Sequence, residues 1–63
     1  MIKFDRLAIP PKPGVYLYRG LDEAVLYVGK AIDLRSRVGS YFQSGLPAKT
    51  TQLVSLIEKI ETI

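Results

Sequence analysis

The chain reads as a small α+β domain: an antiparallel β-hairpin covered by two helices, with a third strand beginning at the far end (β-β-α-α-β). Three observations predict it. Residues 15–19 and 25–28 are short runs rich in β-branched and aromatic side chains, separated by the turn-like Gly20-Leu21-Asp22-Glu23. Two later stretches repeat apolar residues at helical spacing. Residues 60–63 then resume a strand-like alternation with no terminator and no polar tail.

Each element has its own justification. Residues 1–12 are expected as an irregular arm, because Pro10, Pro11 and Pro13 oppose a helix and favour an extended approach to the first strand. A hairpin centred between Leu21 and Asp22 sets Tyr16 opposite Tyr27 and Tyr18 opposite Val25 on one face. Val15, Leu17, Leu26 and Val28 share the other face, which is uniformly apolar and is expected to be the buried one. Asp33 is the expected N-cap of a first helix reaching about Ser40, with Leu34, Val38 and Tyr41 as its inner stripe. Lys30 precedes Arg37 by seven residues. A tight turn into the helix would therefore set Lys30, Arg37 and Tyr41 along one edge beside the tyrosine face, with Arg35 pointing elsewhere. Gln43-Ser44-Gly45-Leu46-Pro47 reads as a turn, and a second helix is expected over residues 49–59 with the apolar stripe Leu53, Leu56, Ile57 and Ile60.

At 63 residues the chain is one domain at most and buries only about 60% of the surface its unfolded form exposes. Domains of this size usually add disulfides or a metal. With no Cys and no His, a disulfide framework and a Cys/His zinc site are both excluded. No apolar run is long enough to cross a membrane and no signal peptide follows Met1, so the expectation is a cytoplasmic protein with no membrane partner. Nine Lys plus Arg against six Asp plus Glu leave a net charge of +3. That balance permits a nucleic-acid partner without requiring one.

The missing residue types narrow the chemistry. Without His or Cys the usual acid–base groups and thiol nucleophiles are gone. Gly29-Lys30 lacks the preceding spaced glycine and the following Ser or Thr of a phosphate-binding loop. The acidic residues are scattered rather than massed as a metal cage. Tyr, Lys and Arg remain, and Tyr16, Tyr27, Lys30, Arg37 and Tyr41 are the candidates. Phosphodiester hydrolysis needs a positioned water, an offset for charge on the transition state and a stabilised leaving oxygen. A tyrosine hydroxyl orients such a water, or acts as its base where cations lower the phenol pKa. Arg37 can grip phosphate bidentately, which a lysine cannot.

The stretches Pro13-Gly14-Val15-Tyr16, Tyr27-Val28-Gly29-Lys30-Ala31, Asp33-Leu34-Arg35-Ser36-Arg37-Val38 and Ser40-Tyr41-Phe42 give these candidates a context. In order and spacing they resemble the GIY-YIG endonuclease superfamily, and within it the N-terminal nuclease domains of the UvrC family of excinucleases. The resemblance runs from about Pro10 to Ile63. It implies a DNA endonuclease of nucleotide excision repair, incising 3′ of a lesion by metal-dependent phosphodiester hydrolysis. DNA and the damage-recognition subunits of the excinuclease complex are the implied partners. Tyr16 and Tyr27 match the active-site tyrosines, and Lys30 the lysine after the second triplet. Arg37 matches the helix arginine against the scissile phosphate, and Tyr41 a further tyrosine near the site. Gly14 and Gly29 are structural in that site. The family anchors a single Mg²⁺ or Mn²⁺ on a glutamate of a third helix, after the third strand. The sequence reaches Ile63 before such a helix, so the chain is expected to be the front part of a truncated GIY-YIG domain, with third strand and third helix largely missing. No metal ligand is assigned in this chain, neither Glu58 nor Glu61. The fragment is expected to bind no ion and to be inactive.

Every candidate has an ordinary reading as well. Tyr16, Tyr18 and Tyr27 are also ordinary strand tyrosines, Tyr41 lies on the core stripe, and Lys30 and Arg37 fit solvated surface cations. Arg6, Arg35 and Lys49 are assigned to surface charge, with Arg35 and Lys49 as additional DNA-backbone candidates. The alternatives to a cutting domain of this kind are a non-cleaving nucleic-acid-binding module, another GIY-YIG repair nuclease, and a non-catalytic interaction domain.

Overall fold

Three strands form one antiparallel sheet in the order β2-β1-β3, so the first strand is central. The computed structural model describes residues 4–43 and 45–63. Residues 1–3 of the expected arm and Ser44 of the expected turn lie outside the described residues. The strands are β1 (Gly14–Arg19), β2 (Val25–Ala31) and β3 (Lys59–Thr62), and the helices are α1 (Leu34–Ser40) and α2 (Ala48–Leu56).

The hairpin connection is longer than the expected two-residue turn. The Gly20 N–H donates to the Ala24 carbonyl at 2.8 Å, which closes a loop over Leu21, Asp22 and Glu23. Asp22 and Glu23 both adopt positive φ, at 59° and 62°. Asp tolerates that left-handed region well; Glu does so at more cost. The longer loop moves the register by two residues. Tyr16 pairs with Gly29 and Tyr18 with Tyr27, not Tyr16 with Tyr27 or Tyr18 with Val25. A slip of one residue exchanges the faces of a strand, but a slip of two preserves them. Tyr16, Tyr18 and Tyr27 therefore still share a face.

The buried face is the tyrosine face, not the aliphatic one. Tyr16 and Tyr18 are 1% and 0% exposed, whereas Val28 on the opposite face is 54% exposed. Leu34 and Val38 of α1, Val54 of α2, and Ile57 just beyond it join the two tyrosines and Ile9 in one core. Aromatic rings offer far more apolar surface than valines, so the helices gain most by covering them. Leu26 is the one member of the expected inner face that packs against this core. It sits where the β1–β2 register jumps between Tyr18 and Arg19, and a bulge of this kind re-aims a side chain.

Asp33 caps α1 as its residue type predicts: its carboxylate accepts the Ser36 N–H at 3.2 Å. The arm is not loose over its described part. Asp5 caps a short 3₁₀ turn at Arg6–Ala8. Ile9 is buried, Phe4 stacks on Phe42 at 4.6 Å, and the Leu34 N–H donates to the Lys12 carbonyl at 2.9 Å. The helix α2 stops at Leu56, three residues short of the expected end. Leu56 is 58% exposed, and Val54 is the helix residue that is buried. Ile57 is fully buried but extended, and Ile60 belongs to β3, opposite Tyr18. The expected stripe therefore fused the end of a helix with the alternation of a strand.

The third strand is present over Lys59–Thr62 and pairs with the free edge of β1. Val15 and Ile63 extend the pairing through reciprocal N–H···O bonds of 2.8 and 2.9 Å. A two-stranded hairpin is marginal in water, and the third strand makes β1 an interior strand with partners on both sides. On the outer face, Arg19 pairs with the Glu61 carboxylate diagonally across β1 and β3. It also donates to the Glu23 carbonyl at 3.0 Å.

Candidate active site: a tyrosine cluster edged by cations

All four tyrosines of the chain converge on the inner face. Every pair of rings among Tyr16, Tyr18, Tyr27 and Tyr41 has centroids between 5.0 and 6.4 Å apart. Strand alternation places the first three, and the end of α1 carries Tyr41 over them. The Tyr16 and Tyr41 hydroxyls are hydrogen-bonded at 3.1 Å, either one donating. Tyr27 is the accessible member, at 43% exposure.

The register explains the two triplets. Gly29 lies directly across from Tyr16, and a Cβ there would overlap the end of the Tyr16 phenol. Gly14 starts β1 where a Cβ would run into the Ile63 carbonyl and the Leu34 side chain. The first glycine lets β3 and α1 close on the sheet, and the second leaves room for the phenol.

Burial raises the Tyr18 phenol pKa well above its ordinary value, with the neighbouring Tyr41, Tyr16 and Tyr27 adding to the effect. Tyr41 is raised as well, first by desolvation and then by its hydrogen bond with Tyr16. Both are therefore held neutral at ordinary pH, the opposite of what a general base needs. The Tyr18 hydroxyl has no hydrogen-bond partner among the described residues.

The cations do not gather at one point. Lys30 pairs with Val15, so it projects from the outer face, opposite to the tyrosines. It meets Arg37 at the end of the sheet, where both line a cleft of about 450 Å³ with Gly14, Val15, Ala31 and Ile32. Arg37 also lines a second cleft, of about 500 Å³, with Ser40, Tyr41, Gln43, Leu46 and Thr50. The expected line of Lys30, Arg37 and Tyr41 is thus split over two clefts that share Arg37. Arg35 is elsewhere: its Nε donates to the Ile9 carbonyl at 2.8 Å, tying the arm to α1. Lys49 is exposed in the first turn of α2.

Ser40, Gln43 and Thr50 were not legible as site residues, because their shared cleft exists only once α1 and α2 are packed. Tyr18 was legible in principle, since strand alternation sets it on the face of Tyr16.

Glu61 lies on the opposite face of the sheet, paired with Leu17, and hydrogen bonding from Arg19 lowers its pKa. Among the described residues no three His, Cys, Asp or Glu side chains come together as a metal-binding group. The donors present are phenols and cations, which do not fit a divalent cation site by themselves. Among the described residues no helix is long and apolar enough to cross a membrane.

Comparison with known proteins places this geometry. A family profile described as the UvrC-like GIY-YIG domain matches residues 12–63. The UvrABC system protein C of Finegoldia magna is 48% identical over 63 residues, covering 98% of this chain and 10% of that protein. Its counterpart in Methylobacillus flagellatus is 53% identical over 55 residues, covering 86% of this chain and 9% of that protein. The chain thus spans about a tenth of the length of these curated relatives. The crystal structure of the GIY-YIG N-terminal endonuclease domain of UvrC from Thermotoga maritima, bound to its catalytic divalent cation magnesium, matches with a TM-score of 0.78 at 31% identity. That match covers 92% of this chain and 63% of the solved one.

Proposed function

Because the chain belongs to the UvrC-like GIY-YIG domain family, we propose that it is the front part of a DNA endonuclease domain that makes the incision 3′ of a lesion in nucleotide excision repair. The observation that carries this reading is the convergence of Tyr16, Tyr27 and Tyr41 on one face, with Arg37 sharing a cleft with Tyr41. DNA is then the substrate, the damage-recognition subunits of the excinuclease are the partners, and the cytoplasm is the site of action.

In this reading Tyr27, the exposed phenol, lies nearest the attacking water. Tyr16 orients it from within the cluster, and Tyr41 fixes Tyr16 through the hydroxyl pair. Arg37 faces the phosphate and offsets charge that grows in the transition state. Lys30 adds a cation from the adjoining cleft. In the complete domain Mg²⁺ or Mn²⁺, held by a carboxylate that these residues do not supply, would stabilise the leaving oxygen.

Two measurements test the proposal. In the intact protein that contains this domain, Tyr27→Phe should slow incision of a lesion-bearing duplex while leaving DNA affinity close to wild type. Full-rate incision would remove Tyr27 from the chemistry. The 63-residue chain alone should not nick DNA in Mg²⁺ or Mn²⁺. Robust metal-dependent nicking would show that a ligand had been overlooked, with Glu58 and Glu61 the first to test.

A second reading, a nucleic-acid-binding module that does not cut, is favoured by one observation: Glu61 is drawn to Arg19 on the face away from the tyrosines. Wild-type DNA affinity in an intact protein that never incises would support it.

A further inference from the structure

The cleft at the end of the sheet has a composition that phosphate binding alone does not explain. Of its six lining residues, Lys30 and Arg37 are cations, and Gly14, Val15, Ala31 and Ile32 are apolar. Ile32 is 88% exposed. It is not on a loose loop. Ala31, before it, is paired with Gly14, and Asp33, after it, caps α1 through the Ser36 N–H. The next residue is tied to the arm by the bond from the Leu34 N–H to the Lys12 carbonyl. The fold therefore anchors the backbone on both sides of an exposed aliphatic side chain, in a cleft it shares with the two cations of the proposed site. Single exposed aliphatics are common on protein surfaces. One that lines a cleft with two phosphate-seeking cations and three further apolar residues has a specific use.

Resting on the nuclease reading above, we propose that this cleft holds an unpaired nucleotide next to the bound phosphate. Lys30 and Arg37 take the phosphates on its two sides, and Ile32 and Val15 take the sugar and base face. A cation contacts the backbone of any duplex. An aliphatic side chain reaches a base face only where the base is unstacked or unpaired. The cleft thus distinguishes an opened strand from a fully paired one, and Ile32 is the residue that makes the distinction. The contact is apolar, so it adds affinity without adding to the salt dependence.

The test is a fluorescence-anisotropy titration of the intact protein that contains this domain over a series of salt concentrations. The probes are a labelled duplex and the same duplex with a short unpaired bubble. Wild type should bind the bubble more tightly than the paired duplex. Ile32→Ser should lower bubble affinity about fivefold, the factor that burying on the order of 40 Å² of apolar surface gives. It should leave duplex affinity and the salt slope unchanged. Arg37→Ala should weaken both complexes and reduce the salt slope by about one. Thermal melts of Ile32→Ser should match wild type, because the side chain is exposed. If Ile32→Ser keeps the full preference for the bubble while Arg37→Ala weakens both complexes, the nucleotide pocket is wrong and the phosphate reading stands. If the wild type binds neither probe, or Arg37→Ala changes nothing, both are overturned.

Discussion

The phenol of Tyr16 lies directly over Gly29 of the neighbouring strand, so the tyrosine of one triplet fills the space vacated by the glycine of the other. A methyl group at Gly29 would overlap the ring. Gly29→Ala is therefore expected to displace Tyr16, disturb its hydroxyl pair with Tyr41, and destabilise the domain by about 2 kcal/mol. For a domain this small the melting midpoint should fall by roughly 10 °C, as thermal unfolding followed by circular dichroism will show. A midpoint within one degree of wild type would mean that the ring relocates freely.

Tyr18 sets the opposite case. Its ring is fully buried against Tyr41 at 5.0 Å and 87°, yet its hydroxyl has no partner among the described residues. Removing an unsatisfied buried hydroxyl while keeping the ring is expected to be neutral or to stabilise by about 1 kcal/mol. Tyr18→Ala removes the ring itself and is expected to cost about 3–5 kcal/mol. Urea unfolding of Tyr18→Phe and Tyr18→Ala separates the two. A clear loss in Tyr18→Phe would reveal a partner for the hydroxyl.

Glu61 makes stability depend on pH. The hydrogen bond from Arg19 lowers its pKa from the ordinary value of 4.5, with Lys59 acting in the same direction. Its unfolded form binds a proton more readily than its folded form. The contribution is thus present above about pH 4.5 and is lost as the pH falls through the lower folded value. Urea midpoints measured between about pH 6 and about pH 3 should fall less steeply in Glu61→Gln than in wild type. Equal slopes would show that the pair with Arg19 contributes nothing.

Arg35 belongs to the fold more than to the surface. Its bond to the Ile9 carbonyl, with the Phe4–Phe42 stack, holds the arm against α1. Arg35→Ala is expected to cost about 1 kcal/mol and to speed amide exchange at the Leu34 N–H, which bonds to the arm. Unchanged exchange and stability would return Arg35 to the pool of surface cations.

The sequence made some of this legible and not the rest, for identifiable reasons. The α1 cap at Asp33, its Leu34 and Val38 stripe, and the common face of Tyr16 and Tyr27 depend on local chemistry and strand parity, which survive errors of register. The register itself depended on the loop, where Asp22 and Glu23 take positive φ that residue type did not announce. Choosing the aliphatic face as the inner one failed because helix packing, not side-chain polarity, selects the face, and tyrosine has a large apolar ring under its hydroxyl. The end of α2 was misplaced because Ile57 and Ile60 fit helical spacing while serving an extended segment. The separation of Lys30 from Tyr41 followed from strand parity that a helical projection of Lys30 ignored.

The central claim is that Arg37, and not its neighbour Arg35, serves the chemistry. Single-turnover cleavage at saturating protein, in the intact protein that carries this domain, tests it most directly. Arg37→Ala is predicted to slow the chemical step by about 100-fold, far more than it weakens DNA binding, since a fixed donor matters most where charge develops. Arg35→Ala is predicted to leave that step close to wild type. Equal slowing by the two substitutions would contradict the account.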